Sequence, residues 1–254
     1  MQPPHEPEAR PRRTICARCA RPACVCLCDS LPATPLHLSG LVVVLQHPAE
    51  QKRALATVPL LELCLSSSSL AVVRCRRARG PLFEALLSAA RRPDSPLPLF
   101  VLWPGAGAAN LAALALKRPP PACDGNPHVL SFTDRLATAS YALLVLDGTW
   151  QQAQEMAALV IETCVPPGVL ARLPFEAVED AAVLIRSEPS QGCTVTAEAV
   201  ARAVELLEGG ESGAMLRAAL TAPIRLLAAQ QRTHDAVGKG VRSSQRLGHK
   251  IVTK

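Results

Sequence analysis

The chain has 254 residues, 49% hydrophobic and 19% charged, a balance that excludes wholesale disorder and is long enough to bury a large core. Aromatic residues are only 3%, so the core is aliphatic, and the composition argues against a module that binds by base stacking alone. The formal net charge is +6, and most of it lies at the end of the chain, where Arg232, Lys239, Arg242, Arg246, Lys250 and Lys254 face one acid, Asp235; a basic tail on a near-neutral body points to a polyanionic partner.

Residues 1–13 are rich in Pro and Glu and carry no apolar stretch, so they read as a disordered leader rather than a secretory signal. Residues 14–30 hold five of the ten cysteines. With no signal before them, a reducing compartment, cytoplasmic or nuclear, is expected. Beyond Leu31-Pro-Ala-Thr-Pro35, apolar runs of strand length alternate with longer helical segments. The predicted strands are Gly40–Leu45, Leu70–Val73, Leu99–Trp103, Ala142–Leu146 and Ala182–Ile185. The predicted helices are Lys52–Leu65, Pro81–Arg92, Ala108–Lys117, Thr149–Thr163, Thr194–Glu208 and Met215–Gln231. Leu97–Leu116 has the length of a membrane span without a charge, but Pro98, Pro104, Gly105, Gly107 and Asn110 break it into a strand, a turn and a small-residue helix. No membrane association is expected.

Continuous apolar strands separated by helices predict the fold class: α/β, with a mainly parallel sheet covered by helices on both faces. The expected organisation is a leader (1–13), a cysteine cluster (14–30), an α/β body (36–231) and a basic tail (232–254). A monomer is expected.

The cluster reads Cys16-x-x-Cys19, then Cys24-x-Cys26-x-Cys28. Four thiolates complete a tetrahedral zinc site, so Cys16 and Cys19 closed by two of the later three form a knuckle whose folding free energy comes from the metal. A redox cluster and an iron–sulfur site are the rival readings. Arg18 and Arg21 favour thiolate and make the knuckle a candidate nucleic-acid contact.

The strand ending at Asp147-Gly148 runs straight into a helix. Thr149-x-x-Gln152 fits a capping box, which is a sufficient reason for Thr149. An open parallel sheet also binds ligands beyond the carboxyl ends of its strands. Gly148 lets a ligand approach the backbone, and Trp150 either packs or stacks on a base.

The run Leu143-Leu-Val-Leu-Asp-Gly-Thr-Trp-Gln-Gln-Ala153 resembles the signature of the DTW-domain tRNA-uridine aminocarboxypropyltransferases. Cys16-Ala-Arg-Cys19 with Cys26-Leu-Cys28 resembles that family's cysteine motif, with Cys24 as an extra thiol. Leu45-Gln-His-Pro-Ala-Glu50 followed by Thr57, Trp103-Pro-Gly105, Ile185-Arg186 with Glu188-Pro189, and Thr196-Ala-Glu-Ala199 resemble further motifs in the family's order. The likeness runs from about residue 16 to 208 and is greatest to a eukaryotic branch. Two positions depart from the pattern: Val195 stands where the family has Ser, and Ala197 where it has Leu. The aromatic that usually precedes Ile-Arg is absent.

The resemblance implies a fold similar to the SPOUT methyltransferases. It implies transfer of a 3-amino-3-carboxypropyl group from S-adenosylmethionine to N3 of a tRNA uridine, releasing methylthioadenosine, with structural zinc on Cys16, Cys19, Cys26 and Cys28. Methyl is normally the sulfonium's most easily attacked carbon, so choosing the longer arm is a positioning problem. Uridine N3 must lose a proton, which requires a base. Asp147 is the first candidate, as base or as a ligand for the donor ammonium; an exposed aspartate is a weak base and burial raises its pKa. His47 is the second candidate, set against a loop histidine bonded to backbone. Glu50 binds donor or caps the Lys52–Leu65 helix. Gly148, Thr149, Trp150, Pro104, Gly105, Arg186, Thr196 and Glu198 complete the expected donor and substrate contacts. Arg242, Arg246 and Lys250 are expected to hold tRNA. The competing readings are a SPOUT-type RNA methyltransferase and a non-catalytic zinc-containing RNA-binding protein.

Overall fold

The computed structural model describes residues 14–53, 55–117, 131–174 and 195–248; for Lys52 and 234–248 only the backbone is described. Six strands form one all-parallel sheet: β1 (Leu41–Gln46), β2 (Leu70–Arg74), β3 (Leu99–Leu102), β4 (Ala109–Asn110), β5 (Ala142–Asp147) and β6 (Val169–Arg172), in the order β2-β1-β5-β3-β6-β4. The helices are α1 (Val58–Cys64), α2 (Pro81–Ala90), α3 (Leu111–Ala115), α4 (Trp150–Cys164), α5 (Thr196–Glu208) and α6 (Gly210–Gly248).

All six residues of β1 and of β5 are buried, because both sheet faces are covered. Strand alternation divides the core. Val42, Val44, Leu143 and Val145 face a layer built from α1, α3, α5 and α6. Leu41, Val43, Leu45, Ala142, Leu144 and Leu146 face α2 and α4. The two-faced parallel sheet is the architecture the apolar runs predicted. Among the described residues no helix is long and apolar enough to cross a membrane.

Element boundaries differ in instructive places. The predicted Lys52–Leu65 helix is a 3-10 turn, Pro48–Lys52, followed by α1 alone; Pro59 fixes the start of α1 in its first turn. The small-residue helix shrinks to Leu111–Ala115 behind the two-residue β4, with the Asn110 side chain accepting from the Ala112 N–H at 2.9 Å as its cap. β6 is a further strand that the sequence does not announce, because its four residues follow Pro166-Pro167-Gly168, a loop signature. The last helix starts earlier, at Gly210, and continues past Gln231 to Gly248, so the described part of the basic segment is helical. No proline stops it there, and loss of apolar periodicity does not end the helix. The predicted strand Ala182–Ile185 lies outside the described residues.

The cysteine segment docks on the same core as the sheet. Leu27 is fully buried among residues of α1, α5 and α6, and Gln230 Nε2 of α6 donates to the Cys26 carbonyl at 3.3 Å.

The amino ends of the strands are tied by a buried polar cluster. Arg135 donates to the Leu38 and Ser39 carbonyls at 2.7 and 3.1 Å and to Ser69 Oγ at 3.1 Å. Burial pulls its pKa below the ordinary arginine value, while Glu208 and Tyr141 act in the opposite sense. Tyr141 donates its hydroxyl to Glu208 Oε1 at 2.7 Å, and the Ser39 N–H reaches the same oxygen at 2.9 Å. Gly40 enters β1 flat against the Tyr141 ring: a Cβ there would lie 2.4 Å from Cε1 and Cζ. Since Tyr141 is fully buried, Gly40→Ala is expected to cost about 1–3 kcal/mol through overpacking, read as a lower denaturation midpoint with an unchanged slope.

Candidate functional site

β1 and β5 lie side by side, yet the connections that leave them run to opposite sides, β1 to β2 and β5 to β6. The carboxyl ends of these two strands therefore form the topological switch point, where open α/β sheets bind ligands. Register places Gln46 opposite Asp147 there.

Asp147 is 3% exposed, and both its oxygens have donors. Gln46 Nε2 reaches Oδ2 at 2.9 Å, and Thr196 Oγ1 reaches Oδ1 at 2.6 Å. The His47 N–H also bonds the Asp147 carbonyl at 2.7 Å. A buried carboxylate without such partners is costly; here the partners come from two separate parts of the chain, the end of β1 and the start of α5. The sheet's end, α5 and the turn into α4 are thereby locked around one negative charge.

The turn itself is a full capping box. Thr149 Oγ1 accepts from the Gln152 N–H at 3.3 Å, and the Gln152 side-chain oxygen accepts from the Thr149 N–H at 2.8 Å. Thr149 is thus engaged in starting α4. Trp150, 40% exposed, stacks on Trp103 with ring centroids 5.0 Å apart and planes at 21°, an offset-stacking geometry. Gly105 makes room for this pair: a Cβ there would lie 2.8 Å from Trp103 Cδ1. Pro104 is exposed at the same turn. The stack joins the β3 and β5 ends of the rim.

His47 is buried, and its Nδ1 accepts from the Ala49 N–H at 3.2 Å, capping the Pro48–Lys52 turn. A neutral ring held in this way carries its proton on Nε2 and is a hydrogen-bond donor there. This favours a donor role over that of a base. Glu50 is fully buried and pairs with Arg53 Nε at 3.1 Å. It does not cap a helix beginning at Lys52, since none begins there. Glu198 is buried in the first turn of α5, where a carboxylate is favoured electrostatically.

The departure at Val195 has a structural account. Val195 is the N-cap of α5 and supplies no side-chain cap. Thr57 sits at the N-cap of α1 without capping it, and its Oγ1 instead accepts from the Ala197 N–H at 3.3 Å. The first turn of α5 therefore has a hydroxyl acceptor from across the core, although Val195 supplies none. Ala197 is fully buried at this contact.

At the other centre, the Sγ atoms of Cys16, Cys19, Cys26 and Cys28 all lie within 4.8 Å of one another. Cys16 and Cys28 are 3.4 Å apart, Cys19 and Cys26 3.6 Å. A tetrahedral zinc with bonds near 2.3 Å has sulfur–sulfur edges of about 3.8 Å, so the donor set fits. Backbone N–H groups of Cys19 and Arg18 draw the Cys16 thiol down to about 6, and its sulfur in turn pushes Cys28 up to about 12. Crowded sulfurs resist ionising together, and a bound dication relieves that. Cys24 is exposed and stands outside the set. Arg18 and Arg21 are tied to carbonyls of the chain, at Pro32 (2.5 Å) and Val25 (3.2 Å).

Of the expected residues, Asp147, Gly148, Thr149, Trp150, His47, Pro104, Gly105 and Thr196 share the rim. Arg186 and Lys250 lie outside the described residues. Arg242 and Arg246 fall on the helical backbone of α6. Sequence reasoning assigned no role to Gln46, Thr57 or Trp103. The signal for Gln46 was its place at the end of a strand next to that of Asp147. For Trp103, it was that the chain's two tryptophans both stand at or just beyond the carboxyl end of a predicted strand.

The DTW domain model matches residues 13–231. The chain is similar to tRNA-uridine aminocarboxypropyltransferase 2 of Macaca fascicularis, with 31% identity over 233 residues, covering 90% of this chain and 67% of that protein. It is 32% identical over 228 residues to the protein of the same name from Drosophila melanogaster, covering 89% and 78%. It is 30% identical over 216 residues to tRNA-uridine aminocarboxypropyltransferase A of Arabidopsis thaliana, covering 80% and 76%. The chain spans about two thirds of the length of the macaque and mouse relatives. No solved structure matches.

Thr57→Val leaves the Ala197 N–H buried without its acceptor and is expected to cost about 1–2 kcal/mol. Adding Val195→Ser restores a cap in place, so the double variant should recover most of that stability in a denaturant titration.

Proposed function

Because the chain belongs to the DTW-domain family, we propose that it is a tRNA-uridine aminocarboxypropyltransferase that takes S-adenosylmethionine as donor and N3 of a tRNA uridine as acceptor. The observation that carries the reading is the convergence of Gln46 and Thr196 on the Asp147 carboxylate, at the switch point where β5 turns into α4. The reaction forms an N3–carbon bond and breaks the bond between that carbon and the donor sulfur. The sulfur leaves as the neutral thioether of methylthioadenosine, and the N3 proton passes to a base.

Asp147 carries the fixed negative charge for this step, either receiving that proton or holding the donor ammonium. A Thr196 hydroxyl and a Gln46 amide already fix its orientation, so little reorganisation is needed when charge moves. His47 offers an Nε2–H donor on the neighbouring strand end. The Trp103–Trp150 stack presents an aromatic edge at the rim for a planar base. N3 lies on the Watson–Crick edge, so the uridine must be splayed from the RNA fold before attack. The cysteine set holds structural zinc, which would fix the segment 16–28 against α6.

Asp147→Asn separates charge from architecture. Gln46 can turn its amide to offer oxygen to the new NH2 group, so the fold is expected to survive with an unchanged thermal midpoint. Transfer is expected to fall by at least about a hundredfold. Nucleoside mass analysis after incubation with unmodified tRNA and donor is the readout. A gain of about 101 Da marks the aminocarboxypropyl group and one of about 14 Da a methyl, the outcome governed by in-line geometry; the methyl product would replace this proposal with the methyltransferase reading. Full transfer by the variant would remove both roles given to Asp147.

The purified chain should hold one zinc. Cys26→Ser is expected to lose it, whereas Cys24→Ser keeps it, as read by metal analysis after gel filtration.

A further inference from the structure

We infer that the loop following β2 is a phosphate-binding surface for the RNA substrate, an inference that rests on the tRNA reading above. Arg74-Cys-Arg-Arg-Ala-Arg79 places four arginines and no acid within six residues. All four are exposed. Arg74 closes β2 in the same register row as Gln46 and Asp147. With strands about 4.8 Å apart, the loop leaves the sheet roughly 10 Å from Asp147, on the rim that carries the site.

The loop is built rather than trailing. Ala78 is buried in the core layer of α2 and α4, Cys75 packs against that layer, and Cys75 Sγ donates to the Arg77 carbonyl at 2.9 Å. An anchored loop loses less freedom when it binds. Three of its four charges are also outside any ion pair among the described residues. Arg74 pairs with Glu62 at 3.2 Å, with both side chains about 40% exposed, but among the described residues Arg76, Arg77 and Arg79 make no ion pair. Elsewhere Arg18 and Arg21 are spent on carbonyls, and Arg53 on Glu50. Guanidinium groups meet phosphates with two parallel hydrogen bonds, and phosphate contacts fix the register of a nucleic acid without reading its sequence. The loop would therefore hold the RNA backbone beside the splayed uridine, a role that needs no particular base.

The test compares the full chain with a triple variant, Arg76→Ala, Arg77→Ala and Arg79→Ala, in binding an unmodified tRNA transcript between 50 and 200 mM salt. Each lost phosphate contact is worth roughly 0.9 in the slope of log affinity against log salt, so the slope should flatten by about 2–3 and affinity fall about ten- to a hundredfold. The corresponding triple lysine variant should keep most of the slope. Donor binding, measured by calorimetry with S-adenosylmethionine alone, should be the same in all three proteins. If the parent chain binds and modifies tRNA while the alanine variant matches its affinity and slope, the loop assignment is wrong and the enzyme reading stands. If the parent neither binds nor modifies tRNA, both fall. If the alanine variant loses donor binding as well, the loop shapes the donor site, and its role as an RNA surface is rejected.

Discussion

One buried carboxylate organises the working end of this molecule. Asp147 ends β5 opposite Gln46, and a charge placed there must be satisfied from within the protein. The donors arrive from β1 and from the start of α5, elements about a hundred and about fifty residues away in sequence. Register, helix placement and chemistry are consequently coupled. A one-residue slip of β1 would move Gln46 to the other sheet face and strip the carboxylate of a partner. The same coupling explains why α5 needs a firm start: Thr196 can reach Asp147 only if the first turn is held, and Thr57 holds it.

The two ends of the sheet divide labour. At the amino ends, Arg135, Tyr141 and Glu208 cross-link the segments entering β1, β2 and β5, which fixes the strands where no ligand is expected. At the carboxyl ends, Gln46 and Thr196 are directed toward Asp147. The cysteine segment adds a third anchor. It cannot bury a core of its own, and it inserts Leu27 into the layer shared by α1, α5 and α6. A metal held there would stiffen the helix-rich face as well as its own loop.

The sheet was legible because β1, β3 and β5 are continuous apolar runs, and period and length distinguish such runs from helices. The capping box at Thr149 was legible because its two partners are three residues apart. What escaped sequence reading shares one property: it depends on contacts across the fold. Thr57 stands before α1 and serves α5. Gln46 looks like the polar end of a strand until β5 is laid beside it. β6 is too short to show a pattern, and the reach of α6 beyond Gln231 is hidden because the sequence there carries no apolar stripe. The arginines after β2 were plain in the sequence, but only the strand order shows that they stand on the rim with Asp147.

The stack of Trp103 on Trp150 has a further consequence. These are the chain's entire complement of indoles, and they touch. The tryptophan emission of the molecule therefore originates from a single spot on the rim of the sheet. When excited selectively, the two indoles form an optical gauge placed at that rim.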